Sequence, residues 1–274
     1  MGVSNKKCRN MKNLNKLYFN LMLVFFFTGL TSEILAQKSE LIKNYSWRAI
    51  GPANMGGRVT DIDGVPGDTS TFYVSGADGG IHKTVDGGVS FTPIFENQRA
   101  YSIGALTISP SDKNVLWVGT GEGDPRNSVG YGWGVYRSVD GGDTWKHLGL
   151  KKTERIKRIL VDPNDPDIAC VCALGKEWGP NRERGVFKTT DGGKNWDKIL
   201  YIDEDTGCAD IAMENENPRI MYAGMWTFRR RPWRFDDGGK NTAIYKTTDG
   251  GETWKKIMKG LPETNMARPG IHML

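Results

Sequence analysis

One eight-residue phrase, written four times, constrains this chain more than any other feature. Thr84-Val85-Asp86-Gly87-Gly88-Val89-Ser90-Phe91 and Ser138-Val139-Asp140-Gly141-Gly142-Asp143-Thr144-Trp145 are the first two copies. Thr189-Thr190-Asp191-Gly192-Gly193-Lys194-Asn195-Trp196 and Thr247-Thr248-Asp249-Gly250-Gly251-Glu252-Thr253-Trp254 are the others, and only Phe91 departs from the closing Trp. The copies recur roughly every fifty residues, which marks a supersecondary unit that buries its core by stacking on its neighbours. Asp-Gly-Gly is a tight-turn signal because glycine takes positive φ without steric cost. An Asp, Ser or Thr oxygen accepts hydrogen bonds from the amides of such a turn and fastens it.

An apolar, aromatic-bearing run precedes each turn: Gly80–Lys83, Gly134–Arg137, Gly185–Lys188 and Ala243–Lys246. An aromatic and an alternating stretch follow it, so each copy reads as a β-hairpin. Two further strands precede each hairpin. The spacing predicts Arg58–Pro66, Thr71–Ser75, Gly80–Thr84 and Ser90–Ile94 for the first unit, and Ser102–Pro110, Asn114–Gly119, Gly134–Ser138 and Thr144–Leu148 for the second. It predicts Ile156–Pro163, Ile168–Ala173, Gly185–Thr189 and Asn195–Leu200 for the third, and Cys208–Glu214, Arg219–Met225, Ala243–Thr247 and Thr253–Met258 for the fourth. Between first and second strands, Pro and Asp stop the strand and set the turn, as in Asp162-Pro163-Asn164-Asp165. Helical periodicity is absent, and the fold class is all-β: four four-stranded blades of a β-propeller around a channel.

The repeated Ser/Thr-x-Asp-x-Gly-x-x-Trp phrase resembles the Asp-box, or BNR repeat, of β-propellers, and residues 47–260 resemble sortilin-type propellers and the bacterial BNR-repeat glycosyl hydrolases. In that family the box is a folding device, which implies structural roles for Asp86, Asp140, Asp191 and Asp249. Those propellers have more blades than the four read here. Residues 263–274 read as an irregular tail, with Arg268-Pro269-Gly270-Ile271-His272 breaking the alternation that opens the other units. Two expectations follow: the chain is the first part of a longer propeller, which we favour, or two four-blade chains close on each other as a dimer. Unpaired sheet faces at both ends are otherwise an aggregation hazard.

Residues 1–36 read as an export signal, 37–56 as a lead-in and 57–262 as the four blades. Lys6, Lys7, Arg9, Lys12 and Lys16 form a basic start, Leu17–Leu30 an apolar core, and Ser32–Ala36 a cleavage region. The apolar run is too short and too soon interrupted for a membrane span. An exported chain is the expectation, periplasmic, cell-surface or secreted, with no transmembrane segment beyond the signal. Most of the formal net charge of +5 belongs to this segment, which carries five Lys/Arg and one Glu. The remainder is near neutral, which removes any electrostatic reason to expect nucleic acid or an anionic membrane as partner. Cys170, Cys172 and Cys208 follow the signal. Cys170 and Cys172 share one strand face, poor geometry for pairing with each other. A bridge from either to Cys208 and buried free thiols both remain open. Three His without paired spacing and no CxxC give no metal signature, and no cofactor is expected.

Chemistry is expected in the connections between second and third strands, which are long in three units: Thr120–Trp133, Leu174–Arg184 and Trp226–Asn241. Long loops gathered on one face of a rigid scaffold are where binding is built. The second unit supplies Glu122, Asp124, Arg126, Tyr131 and Trp133, and the third supplies Glu177, Trp178, Arg182 and Arg184. The fourth offers Arg229, Arg230, Arg231, Trp233 and Arg234. Arg forks suit carboxylates, and Trp or Tyr faces suit sugar rings or peptide side chains, so a protein or carbohydrate ligand is expected. The alternative is that these loops pack on one another for stiffness alone. Asp78, in Gly76-Ala77-Asp78-Gly79-Gly80, lies where the resemblance to xyloglucanases implies a catalytic Asp, although their Thr-Asp-x-Gly-Gly segment is one residue longer and carries a Thr. A glycosidase needs a second carboxyl flanking the same bond. Glu122 and Asp124 are the local candidates, and a plain turn residue is the simpler role for Asp78. A sialidase would require an Arg triad and a Tyr–Glu pair. Arg58 is placed near a first strand, but the Arg-Ile-Pro opening is missing.

Overall fold

The computed structural model describes residues 57–262 and 266–272; the signal and lead-in expected for residues 1–56 lie outside them. Seventeen strands and one short 3-10 turn at Lys151–Thr153 form four antiparallel sheets. The first blade is β1 (Val59–Gly64), β2 (Phe72–Gly76), β3 (Gly80–Thr84) and β4 (Thr92–Pro93). The second is β5 (Ile103–Ile108), β6 (Leu116–Thr120), β7 (Val135–Ser138) and β8 (Lys146–His147). The third is β9 (Ile156–Val161), β10 (Ala169–Ala173), β11 (Gly185–Thr189) and β12 (Asp197–Leu200). The fourth is β13 (Thr206–Met213), β14 (Met221–Arg231), β15 (Arg234–Asp237), β16 (Ala243–Thr247) and β17 (Lys255–Ile257). Each sheet is a simple meander, and β15 is an extra strand paired to the far end of β14.

This is a β-propeller arrangement with the expected four blades, and the differences from expectation are local. The outermost strands β4 and β8 are only two residues long. Trp226–Asn241, expected as a loop, is a hairpin: β14 runs on to Arg231 and β15 pairs back along it from Arg231↔Arg234 to Phe228↔Asp237.

The innermost strands β1, β5, β9 and β13 run side by side, and each hydrophobic cluster spans two blades. Ile103, Leu106, Leu116 and Val118 of the second blade pack with Tyr73, Ile81 and Phe95 of the first. Ile156, Ile159 and Val171 of the third pack with Trp117 and Val135 of the second. Burying an aliphatic chain in such a seam contributes about 1.5–3 kcal/mol. Strand pairing sets Ile62, Leu106, Ile159 and Ile211 at equivalent positions. The latter three are at most 2% exposed, whereas Ile62, with no blade before it among the described residues, is 60% exposed.

The seams are also tied by polar contacts. In the first blade the Tyr73 hydroxyl and Lys83 Nζ both donate to the Gly141 carbonyl of the next box, at 3.0 and 2.9 Å. Lys188 Nζ donates to Gly250 in the same way at 2.8 Å. Trp145 Nε1 donates to the Ile94 carbonyl and Trp196 Nε1 to Leu148, so these two box aromatics bond the end of the blade before them, while Trp254 Nε1 is buried without a partner among the described residues. At one seam the tie is covalent. Cys172 is bridged to Cys208, and Cys170 stays free and buried, its thiol pushed up to about 12 by burial. Pairing makes Cys172 equivalent to Gly119 and Gly224, and a Cβ on those glycines would collide with Ile156 and Pro269. The disulfide therefore occupies a position where Gly119 instead admits the Ile156 side chain of the next blade. Residues 266–272 form no strand, yet Pro269 lies against Gly224 and the Ile271 amide donates to Asp210 Oδ2 at 2.9 Å.

Candidate functional site

An up-and-down meander puts the box turns and the first-to-second strand turns on one face. Hydrogen bonds join them: Gly87 N to Ser70 O, Gly141 N to Asn114 O, Gly192 N to Asp167 O and Gly250 N to Arg219 O. Within a box the carboxylate organises its own turn. Asp140 accepts from the Ser138 hydroxyl at 2.6 Å, the Thr144 amide at 2.8 Å and the Thr144 hydroxyl at 2.5 Å, while the Gly142 amide donates to Ser138 Oγ at 2.9 Å. Asp86, Asp191 and Asp249 repeat the pattern. Both box glycines have positive φ, 70° and 95° in the second blade, which only glycine adopts cheaply. Hydrogen bonds to the ionised form hold the Asp86, Asp140 and Asp191 carboxyls down to about 2, led respectively by the Ser90 hydroxyl, the Ser138 hydroxyl and the Asn195 amide. These four aspartates are fully employed in folding.

The opposite face carries the second-to-third strand connections, and it is built from contacts between blades. Glu122 is fully buried. Its amide donates to Ser102 Oγ at 3.1 Å, and its carboxylate pairs with Arg58 and, at 3.7 Å, with Arg126 Nε. Four residues on, the loop reaches the third blade, where Glu177 takes Arg155 Nη2 at 3.1 Å and Arg230 Nε at 3.6 Å. Burial pushes the Glu177 carboxyl up against the pull of Arg155 and Arg230 and a bond from the Arg126 amide. Between them, Asp124 holds Lys157 Nζ at 3.2 Å and Arg268 Nη1 at 2.6 Å. Burial acts to raise its carboxyl, but the Arg268 bond and the Lys157 charge leave it below the ordinary range. One network thus joins all four blades and the segment at 266–272.

The remaining expected residues fall into two groups. Arg229 pairs with Asp205, Arg231 and Arg234 both pair with Asp236, and Arg230 also stacks on Phe235 at 4.5 Å. Trp133 is held between Arg99 and Lys151, 3.9 and 5.4 Å from its ring centroid, and packs on the core. These stiffen the face. Tyr131, Trp178 and Trp233 stay open, at 63, 44 and 79% exposed. They come from the second, third and fourth blades, and Arg155 lies 5.6 Å from the Tyr131 ring. Asp78 is half-buried in the turn between β2 and β3, directly against Gly130, where a Cβ would collide with its Oδ1 and with Ser102. The residues not expected are Arg155, Lys157 and Arg268. The first two alternate at the start of β9, toward the loop face, a pattern legible once β9 is placed.

As a two-carboxylate centre the arrangement is poorly equipped. Both Glu122 oxygens are out of reach of solvent and lie beside guanidinium groups, and Asp124 is held ionised by two cations. Neither offers Asp78 a partner that takes or gives a proton to an external bond. Among the described residues no group of three His, Cys, Asp or Glu converges as metal ligands, and no helix is long and apolar enough to cross a membrane.

The fold, its meandering blades and the stapled turns define an Asp-box β-propeller. A family model described as "Sortilin, neurotensin receptor 3" matches residues 134–269. The chain is similar to the xyloglucanase Xgh74A of Acetivibrio thermocellus, 26% identical over 83% of this chain and 28% of that protein. Among solved structures it resembles an ancestral GH74 enzyme, with TM-score 0.57 and 21% identity over 77% of this chain and 27% of the other. It also resembles the GH74 xyloglucanase of Xanthomonas campestris, with TM-score 0.55 and 20% identity over 80% of this chain and 32% of that one. The chain spans well under a third of the length of the curated relatives it matches.

Proposed function

We propose that this chain is an exported carbohydrate-binding propeller that engages its ligand through the loop face. One observation carries the reading: three consecutive blades each present an exposed aromatic, Tyr131, Trp178 and Trp233, on connections fixed by buried ion pairs. Flat aromatic faces stack on sugar rings, and rigid loops limit the entropy lost on binding. The xyloglucanase relatives support a glycan over a protein ligand. Native-gel retardation by soluble polysaccharides tests this directly. Retardation should be lost when Tyr131, Trp178 and Trp233 are replaced together by Ala, and unchanged retardation moves the site elsewhere.

The same relatives favour a second reading, glycoside hydrolysis with Asp78 as the acid/base. Release of reducing ends from xyloglucan that survives Asp78→Asn at the unaltered rate would end it. Export is tested by fractionation, with the mature chain expected outside the cytoplasm and beginning near Gln37.

A further inference from the structure

The carboxylates and cations of the loop network are not equally placed. Three carboxylates, Glu122, Asp124 and Glu177, are matched by six cations: Arg58, Arg126, Arg155, Lys157, Arg230 and Arg268. Glu122 and Glu177 are 0% exposed at their side chains. On the cation side, Arg126 is 53% and Arg268 32% exposed, whereas both Nη atoms of Arg58 are buried. Glu122 and Asp124 hold the guanidinium groups of Arg126 and Arg268 in place without covering them, and that positive charge is turned outward. Asp78, at the edge of the network beside Gly130, offsets one of the surplus charges and leaves the sign unchanged. Protonation of any of the three carboxylates makes the face more positive still. Lys176, 48% exposed, is balanced by Glu154 at 3.5 Å and adds nothing.

Guanidinium groups pre-oriented by carboxylate partners lose little entropy on binding and present paired N–H donors that match a carboxylate. Tyr131, whose ring lies beside Arg155, puts a stacking surface next to them, and Trp178 projects from the loop that carries Glu177. We infer that the loop face binds polysaccharides bearing carboxylate groups, uronate-containing glycans, with sugar rings on Tyr131 and Trp178 and the carboxylates on Arg126 and Arg268. This rests on the glycan reading above and adds the charge of the ligand to it. The near-neutral balance of the blades hid the surplus, which appears only when burial sorts one sign from the other.

The test compares three probes on the purified chain by titration calorimetry: polygalacturonate, the same backbone with its carboxylates methyl-esterified, and neutral xyloglucan. Polygalacturonate should bind at least tenfold more tightly than its ester, and the preference should shrink as NaCl is raised from about 0.05 to 0.5 M, where screening is strong. Arg126→Gln should reduce the preference at least threefold while thermal unfolding is unchanged, since this side chain is half exposed. Equal binding of acid and ester, or binding of xyloglucan alone, overturns the charge inference and leaves the glycan reading standing. No binding of any probe overturns both. The ester comparison leaves the protein untouched, so a misfolded variant cannot mimic the result.

Discussion

Both faces of the blade array are lined with carboxylates, and the two sets are satisfied in opposite ways. On the box face each aspartate finds its donors within four residues: Ser138 two before Asp140 and Thr144 four after it. On the loop face the partners come from other blades. Arg155 and Glu177 are 22 residues apart, Lys157 and Asp124 are 33, and Arg268 and Asp124 are 144. The box carboxylates are also near the surface, whereas the loop carboxylates Glu122 and Glu177 are sealed and Asp124 is half-buried. Local satisfaction lets a turn be repeated in every blade regardless of its neighbours. Satisfaction across blades ties each loop to one particular neighbour and lets it differ from the others.

The largest effect should come from breaking a sealed pair. Arg155→Ala leaves the buried Glu177 with only the longer contact to Arg230, at 3.6 Å, and removing one partner of a buried pair costs about 3–5 kcal/mol. Urea unfolding should show that loss, and Arg155→Ala combined with Glu177→Ala should recover part of it. If Arg155→Ala alone costs no more than a surface substitution, the loop network is decoration and the contrast between the faces fails.

Next comes the covalent seam. Cys172→Ser opens the bridge to Cys208, 36 residues away, and should cost about 2–4 kcal/mol, the usual range for a disulfide. Reductant should destabilise the native chain by a similar amount and leave the variant unaffected. Cys170 should not rescue the bridge, because burial pushes its thiol up to about 12 and keeps it protonated.

How much could be read from residues alone follows the same division. The four boxes, the blade count and the all-β class were legible because Thr-x-Asp-Gly-Gly encodes a turn whose bonds all lie inside it. The hairpin of β14 and β15 is not legible: Arg229-Arg230-Arg231-Pro232-Trp233-Arg234 reads as a polar loop, and its charges are matched by Asp236 within the hairpin and by Asp205 and Glu177 from outside it. Glu122 stood out as an acidic loop residue, but nothing in its spacing shows that Arg58 and Arg126 enclose it. The choice of Cys172 over Cys170 as bridge partner depended on β10 pairing, which puts Cys172 at the close-contact position shared with Gly119.

A smaller effect, spread over the opposite face, should appear in acid. A carboxyl held down in the folded state contributes stability above its unfolded value, near 3.9, and loses it as pH falls through the folded value. For Asp86, Asp140 and Asp191 that window runs from about pH 4 down to about 2. Asp61 and Asp63 act in the opposite sense, since burial pushes their carboxyls up and their contribution fades as pH rises. Asp140→Asn should therefore flatten the acid limb of the stability curve, with little change in its slope above pH 5. An unaltered acid limb would show that the box bonds do not depend on ionisation.

The smallest effect on stability should accompany the largest on binding. Trp178 and Trp233 are 44 and 79% exposed, and neither indole makes a hydrogen bond among the described residues. Replacing both by Ala removes surface that water already covers, so the unfolding midpoint should not move beyond about 0.5 kcal/mol, the ordinary range for exposed sites. Glycan retardation in native gels should nevertheless fall, because stacking area is lost while the arginines stay in place. Arg155→Ala should show the reverse coupling, losing stability and binding together as the loops beneath the ligand loosen. If the Trp178 and Trp233 changes alter stability and spare binding, those rings belong to the packing of the face, and the distinction drawn between its fixed arginines and its open aromatics does not hold.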